Sequence, residues 1–497
     1  MKNEFDKYQG FVVYSQDNQP IGIVSSSGEK FAKCNINFTP KKFEMFLTSI
    51  EDRRFYNHSG IDIKSITRAL YENVKARKIV QGASTITQQL ARNLLQDKRV
   101  SIDRKLKEIF YALKIESEYT KKEVLELYYN NVFFGKNIYG LRTASLEYFS
   151  KEPEKLSTSE QILLITLLRG PNYYLNHLDK LQNRYNFLNN SLHNKKTISS
   201  RKFNKAKKTK LRIGQKNLKI YKNDSIPFIA STINHNNYTI TSSINKEIQK
   251  EIIKYISGCN YPTNLICIKE GKVIGIGSSF GTDYPFIYRA NVGSTRKPFI
   301  YTFLRANGFR KDDLFPTSTN ENVPWNIREV QTIKENFLSL EEALKSSNNN
   351  VFVNASYQLG IEKVQLFLAN LFNSPVEKFV PASVLGAVIN GISLYELVMA
   401  YHNHFLKNSN NVINSECISI LKEIANEKFN NRLSNIFIKT GTTNNNKERY
   451  GIVGMGKTLF GFLRQGNEFD DYSKDGNYIS SILRFLRTIK NKIYKWD

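Results

Sequence analysis

Apolar positions recur at helical spacing through the first third of the chain. After the start signal Thr39-Pro40-Lys41-Lys42, Phe43, Phe46 and Leu47 share one face with Ile50 a turn on, which predicts a packed helix with Glu51 at its end. A second helix is predicted over 62–78, with Ile66, Ala69, Leu70 and Val74 on one side and Arg68, Lys75, Arg77 and Lys78 elsewhere. Gly82 breaks the pattern, and Thr85-Ile86-Thr87-Gln88 has the S/T-x-x-Q form of a capping box, opening a helix whose apolar face is Ile86, Leu90 and Leu94. Helical runs follow around 104–108, over 120–130 and over 161–168. The second ends in the turn chemistry of Asn130-Asn131, Gly135 and Gly140, and the third is capped by Ser157-Thr158-Ser159-Glu160. Ahead of all these, short apolar groups over 11–24 alternate around Asp17-Asn18, as in a small hairpin.

After Thr241 the texture becomes mixed. Leu265-Ile266-Cys267-Ile268 and Val273-Ile274-Gly275-Ile276 flank Lys269-Glu270-Gly271-Lys272 as a short-loop β-hairpin. Helical patterns occupy about 295–306, 339–346 and 349–371, Ile436-Phe437-Ile438 reads as a buried strand, and 478–490 as an amphipathic helix. Four segments result: a hairpin lead-in over 1–25, a mainly helical domain over 26–175, a basic linker over 176–240, and an α/β domain over 241–497. A chain of 497 residues suits two domains.

Composition changes this picture in one respect. The net charge is +27, which suits nucleic acid, an anionic membrane surface or substrates bearing phosphates and carboxylates, and equally a general abundance of Lys. Between Lys195 and Lys222 stand twelve Lys or Arg and no acid. No helix-turn-helix, RNP or zinc pattern accompanies them, so nucleic acid is not expected as a partner. Cys34, Cys259, Cys267 and Cys417 lie far apart, and indicate neither a zinc site nor a disulfide framework.

Candidate chemistry lies in two places. Glu51 to Asp62 crowds carboxylates, guanidinium groups and His58 beside a helical framework, and the capped helix start near Thr85 offers unpaired N–H groups to an anion. Arg104 and Lys105 share a helix face with Glu108. In the second half, Gly293-Ser294-Thr295-Arg296-Lys297-Pro298-Phe299 contains S-x-x-K, Ser346-Ser347-Asn348 contains S-x-N, and Lys439-Thr440-Gly441-Thr442 contains K-T-G. S-x-x-K also occurs by chance at Ser27-Gly28-Glu29-Lys30, so the ordered combination carries the weight.

With Ser294 at a helix start, Lys297 lies one turn along and its amine can take the serine proton. Pro298 is tolerated there because first-turn N–H groups have no helical acceptor. Burial among cations such as Lys439 favours a neutral Lys297. Ser346 and Asn348 are expected to relay a proton and bind a substrate amide. Lys439, Thr440, Gly441 and Thr442 on a strand are expected to bind a carboxylate. The N–H groups of Ser294 and Thr442 would make an oxyanion hole, worth ~3 kcal/mol per donor.

These residues together resemble a bifunctional class A penicillin-binding protein. The glycosyltransferase half, of the GT51 family, is matched by Glu51 to Asp62, Gly82 to Gln89, Arg104-Lys105-x-x-Glu108, and Glu126 to Asn130 through Gly135. The transpeptidase half is matched by the three motifs, by Thr241 to Gln249 and by Pro381 to Tyr401. The resemblance implies a mainly α-helical, lysozyme-like domain followed by an α/β serine β-lactamase/DD-peptidase-like domain. It implies that Glu51 is the base that deprotonates an acceptor sugar hydroxyl, polymerising lipid II with inversion into β-1,4 strands. Glu108, with Arg92 and Arg104, is implied to help the diphosphate leave. Asp52, Phe55, His58, Ser84, Thr85, Gln88, Gln89, Lys105 and Asn130 are implied to line the cleft. Ser294 is implied to be acylated by D-Ala-D-Ala stems, with transpeptidase or carboxypeptidase outcome, and by β-lactams. No organic cofactor is implied, and room is left for Mg or Mn near Glu51 and the diphosphate.

The implied partners are lipid II, nascent peptidoglycan, the membrane surface and cell-wall assembly proteins. The implied place is the outer, periplasmic face of the bacterial cytoplasmic membrane. No run here approaches the ~18 apolar residues of a membrane span, so an anchor ahead of Met1 is expected. Three departures from the family pattern stand out: Arg296 where an apolar or small residue is usual, Lys447-Glu448-Arg449-Tyr450 after K-T-G, and Ser150 where Gly is common. They leave open an alternative in which an impaired transpeptidase half serves as a penicillin-binding scaffold or sensor.

Overall fold

The structure, a computed structural model, describes residues 10–25, 30–35, 37, 39–77, 82–95, 101–209, 211, 213–214, 218–221, 225–235, 237–318, 323, 334–430, 433, 435–443, 448–466 and 476–493. The chain divides into two compact units, Met1–Asn223 with Ala230–Ser242, and Asp224–Ile229 with Ser243–Asp497.

In the first unit the predicted helices appear as Lys41–Glu51, Ile63–Ala76, Ile86–Leu95, Ile102–Glu118, Lys121–Asn131 and Thr158–Leu167. Phe43, Phe46, Leu47, Ile86 and Leu90 meet in one core with Tyr128, Tyr129 and Leu164. The capping box forms as its spacing predicts: Gln88 N donates to Thr85 Oγ1 at 3.1 Å, and Thr85 N to Gln88 Oε1 at 3.0 Å. Ser157 and Glu160 cap Thr158–Leu167 in the same way.

One expectation for this unit is corrected. The stretch 176–240 is not a separate linker. Leu181, Tyr185, Leu188 and Leu192 recur at helical spacing on Leu178–Asn194 and are buried in the same core, a period masked by the polar residues between them. Further on, Lys219–Tyr221, Ala230–Asn234 and Thr239–Ser242 join the Gly10–Tyr14 and Pro20–Ser25 hairpin in a five-stranded sheet. The helix Ile63–Ala76 buries only Ala69. Ile63, Ile66, Leu70, Tyr71 and Val74 face outward, as do Ile102, Leu106, Phe110 and Leu113 on Ile102–Glu118.

The second unit is built on an antiparallel sheet in the order Ile436–Thr442, Glu448–Met455, Thr458–Gln465, Thr263–Lys269, Lys272–Ser278. The predicted hairpin turns at Glu270 and Gly271, whose φ of 50° and 78° are those of the I′ turn that matches strand twist. The helical pattern over 349–371 is broken at Gly360, with φ of 107°, into Asn349–Leu359 and Ile361–Leu371. All four cysteines are free thiols. Among the described residues no helix is long and apolar enough to cross a membrane.

Candidate functional site

Glu51 ends the packed helix Lys41–Glu51, so its backbone is held by the buried Phe46 and Leu47. Gln89 Nε2 donates to Glu51 Oε2 at 3.2 Å, and Tyr128 OH donates to Gln89 Oε1 at 3.0 Å. Arg184 Nη2 stands 4.0 Å from Glu51 Oε1. Burial raises the Glu51 pKa, and the Gln89 hydrogen bond with the charges of Arg184 and Arg169 only partly offsets it. The result is a carboxylate poorly solvated when ionised, which suits a base. Arg184 sits in the stretch expected to be a linker; the period of its helix was the signal that would have found it.

Glu108 is fully buried and gathers three cations: Arg92 Nε at 2.7 Å, Arg104 Nη1 at 3.0 Å and Lys105 Nζ at 3.0 Å. Burial alone would raise this carboxyl, but the Arg92 and Lys105 hydrogen bonds and charges outweigh it and hold it below the ordinary range. Lys105 Nζ also donates to Ser84 Oγ at 3.0 Å. Glu108 therefore stays ionised and aligns cations.

Six residues expected to line the cleft have side chains buried and, all but the Phe55 ring, hydrogen-bonded within the protein. Phe55 lies in the core beneath Lys121, whose Nζ is 4.4 Å from the ring centroid. Asp52 is buried between His58 Nε2 at 3.0 Å and Ile86 N at 3.0 Å. Both of its oxygens are thus engaged, and the His58 side chain is itself buried. Thr85 and Gln88 are consumed by the capping box, with Thr85 Oγ1 also donating to Gly60 O at 2.6 Å. Asn130 accepts from Cys34 N at 2.7 Å and donates to Cys34 O and Glu126 O, both at 3.0 Å. Asp52, Thr85 and Asn130 thus direct their side-chain hydrogen bonds to the protein, while His58 keeps a buried Nδ1 without a hydrogen-bond partner among the described residues. Ser84, Gln89, Arg92, Arg104 and Lys105 are only partly buried.

With Asp52 engaged, the side chains near Glu51 do not fit a protein-held divalent ion. Among the described residues no three His, Cys, Asp or Glu side chains are grouped to hold one. An ion there would have to be carried by the diphosphate of a substrate.

In the second unit Ser294 lies on the 3-10 turn Gly293–Arg296, directly ahead of the helix Lys297–Ala306. Lys297 Nζ donates to Ser347 O, to Ser347 Oγ at 3.3 Å and to Asn349 Oδ1 at 2.7 Å. Lys439 Nζ donates to Ser347 Oγ at 2.9 Å. The S-x-N pair is therefore Ser347 and Asn349, one residue beyond the expected Ser346 and Asn348. Ser346 Oγ donates to Glu342 O at 2.8 Å, and Asn348 caps the next helix by accepting from Val351 N at 2.9 Å. The run of adjacent Ser and Asn satisfies the motif in two registers. Ser347, the left-handed residue that ends Leu340–Ser346, is the one turned to the lysines.

Lys439, on the strand Ile436–Thr442, is buried. Burial first, then the Lys297 and Lys428 charges, push its pKa well below the ordinary lysine range. Gly441 lets the strand end meet the nucleophile turn. A Cβ there would fall 2.7 Å from Val292 O, 2.8 Å from Thr295 N and 3.0 Å from Ser294 N. Thr442 and the backbone N–H of Ser294 are thereby brought to one place.

The departures also have locations. Arg296 is fully buried between Phe372 and Phe379, its guanidinium 5.2 Å and 5.6 Å from the ring centroids, and Nη1 donates to Ser383 O at 2.9 Å. Ser150 caps Leu141–Phe149 at φ 58°, a conformation glycine adopts without cost. Tyr288 OH donates to Glu448 Oε1 at 2.6 Å, and Lys447 falls outside the described residues.

Residues 17–193 match the family model described as Transglycosylase, and residues 274–371 the model described as Penicillin binding protein transpeptidase domain. Penicillin-binding protein 4 of Bacillus subtilis is 35% identical over 207 residues, covering 41% of this chain and 33% of its own length. Penicillin-binding protein 1F of the same organism is 27% identical over 425 residues, covering 76% and 58%. The chain thus spans between a third and three fifths of these relatives. The crystal structure of penicillin-binding protein 1A from Haemophilus influenzae aligns with a TM-score of 0.52 at 13% identity, covering 96% of this chain and 92% of that one, a likeness of fold.

Proposed function

The chain belongs to the bifunctional class A penicillin-binding proteins, and from that premise we propose that it is a peptidoglycan synthase with both halves catalytic. The observation that carries this is the pairing of Lys297, Lys439 and Ser347, which follow the S-x-x-K, K-T-G and S-x-N pattern with Ser294, with a buried, poorly solvated Glu51 in the other unit. In the glycosyltransferase half, Glu51 takes the proton from the 4-hydroxyl of an acceptor sugar as that oxygen attacks the anomeric carbon of a lipid-linked donor. The carbon–diphosphate bond breaks with inversion, and negative charge moves onto the leaving diphosphate. Arg92, Arg104 and Lys105, aligned by Glu108, meet that charge where it develops.

In the transpeptidase half, Ser294 Oγ loses its proton to the Lys297 amine and attacks the penultimate D-Ala carbonyl. The N–H groups of Ser294 and Thr442 then hold the oxyanion. Ser347, hydrogen-bonded to both lysines, passes the proton toward the departing D-Ala nitrogen. An amine of a second stem then attacks the acyl ester and frees Ser294; water in its place gives the carboxypeptidase product. β-Lactams acylate the same serine.

The outward apolar residues on Ile63–Ala76 and Ile102–Glu118, accompanied by Lys64, Arg68, Lys75 and Lys114, fit the headgroup and acyl boundary of an anionic membrane. This supports action at the outer face of the cytoplasmic membrane on a lipid-borne substrate.

The test is incubation with lipid II in bilayers, followed by muramidase digestion and analysis of fragments. Polymer is expected that Glu51→Gln abolishes, with cross-linked dimers that Ser294→Ala abolishes. Cross-links that survive Ser294→Ala would remove the transpeptidase assignment and favour the scaffold alternative for that half.

A further inference from the structure

Neither site uses the most basic stretch of the chain. Between Lys195 and Lys222 there are twelve Lys or Arg and no acid. Its helix Ser200–Lys208 packs with Leu178–Asn194, which in turn packs on Lys41–Glu51. Lys41–Glu51 therefore relates the basic groups to the cleft.

At the Glu51 end, Lys195 Nζ donates to Ser49 O at 2.6 Å, two residues before the proposed base. Burial, then the nearby charges of Arg53 and Arg68, lower the Lys195 pKa. At the other end, about 14 Å along the helix by its rise per residue, the neighbouring Lys42 amine lowers the pKa of Lys202. Beside Lys202 opens a cavity of about 850 Å³ lined by Arg201, Lys202, Lys205 and the apolar Phe149, Leu163 and Leu211. Its one carboxylate, Glu160, is taken by Lys151 at 2.7 Å and by Ser157 N at 2.7 Å. Amines held together repel unless a counter-charge relieves them. Cations thus lie at both ends of the helix that carries Glu51, with a cavity at the distal end.

We propose that these cations form a track that holds the nascent glycan strand through the carboxylates of its stem peptides. The inference rests on the synthase function above. Each disaccharide added brings a stem that ends in a carboxylate, so the product is a regular polyanion that starts at Glu51. A surface that retains it between additions keeps polymerisation processive.

The test uses the full chain without lipid II and measures binding of three probes: purified glycan strands with stem peptides, the same strands stripped of stems by an amidase, and oligothymidylate. Strands with stems should bind more tightly than stripped strands by at least about five-fold and lose affinity with rising salt. The combined Lys42→Gln, Lys202→Gln and Lys205→Gln variant should weaken that binding by about five-fold or more. In polymerisation it should shorten the mean glycan length relative to sugar incorporated.

Equal binding of stripped and intact strands by the wild-type chain overturns the proposal, and so does oligothymidylate binding as tight as that of the strands. A folded triple variant that binds like wild type overturns it as well. Should the variant not fold, the wild-type comparison of the two strand samples decides. A wild-type chain that makes no polymer would instead remove the synthase function and leave the binding comparison readable.

Discussion

Ser347 and Lys439 share a hydrogen bond of 2.9 Å between Oγ and Nζ, while the neighbouring Ser346 turns its hydroxyl back onto Glu342 O. Two adjacent serines are thus separated into one that meets the lysines and one that bonds back to its own helix. Ser347→Ala should slow acylation of Ser294 by a fluorescent penicillin by about 10²-fold or more, the usual weight of a positioned proton-transfer group. Ser346→Ala should stay within about two-fold, because it loses only a bond to its own helix. The opposite order in stopped-flow acylation would return the relay to Ser346.

Glu51 and Arg184 make a pH prediction for the other half. Burial holds the Glu51 pKa above the ordinary carboxylate range, and Arg184 lowers it from where burial alone would leave it. The acid limb of glycan polymerisation should therefore lie above the usual glutamate range. Arg184→Gln removes a cation that favours the ionised base, so that limb should move to still higher pH. A profile of kcat/KM against pH for the two proteins checks this, and a limb that moves to lower pH contradicts the assignment.

The motifs told which chemistry to expect because nucleophiles and bases come from few residue types at fixed spacing. What they left open was which members face the substrate. Asp52, Thr85, Gln88 and Asn130 sit within the matched motifs yet are engaged by backbone groups, and only the fold shows where their hydrogen bonds go. The helix spanning 178–194 was legible in the period of its leucines, but the neighbouring run of lysines and asparagines drew the stretch toward a linker. Outward apolar residues on Ile63–Ala76 had the spacing of a packed face. Periodicity says that residues share a side and is silent on what covers it.

Asn130 tests the scaffold assignment. Its side chain makes three hydrogen bonds that tie Cys34 to the helix Lys121–Asn131. Asn130→Ala leaves buried backbone groups unpaired and should destabilise the first unit by about 1–3 kcal/mol. The apparent KM for lipid II should change by no more than about two-fold in the molecules that remain folded. Urea unfolding beside steady-state kinetics separates these outcomes, and a KM effect without a loss of stability would place Asn130 on the substrate.

Arg296 is a fully buried cation that, among the described residues, has one hydrogen bond, to Ser383 O, and no carboxylate against it. Burial brings its pKa down to about 9. A group lowered in this way binds more protons unfolded than folded, so its penalty is complete below about pH 9 and is relieved as pH rises through that value. Arg296→Met keeps the volume between Phe372 and Phe379 without the charge, and should stabilise the second unit by about 1 kcal/mol or more at pH 7. The gain should be level between about pH 6 and about pH 8 and shrink toward about pH 10, as read by urea unfolding. A variant less stable than wild type at pH 7 would mean that the guanidinium holds the 372–386 segment by contacts an apolar chain does not replace.

Leu70 and Phe110 stand exposed on the two helices whose outward sides are apolar, Leu70 at 64% and Phe110 at 65%. In water such side chains gain nothing from exposure, and each one moved into an acyl boundary contributes about 1.5–3 kcal/mol at full burial. Two partly buried residues therefore suffice for about a ten-fold change in partitioning. Leu70→Gln combined with Phe110→Gln should lower binding to vesicles of anionic lipid by about that factor. Salt should weaken the wild-type chain further by screening Arg68 and Lys75, yet it should leave the apolar part in place. The variant's deficit should then persist at high salt. A deficit that disappears at high salt would assign membrane contact to charge alone, and unchanged binding at low salt would take both helices away from the membrane.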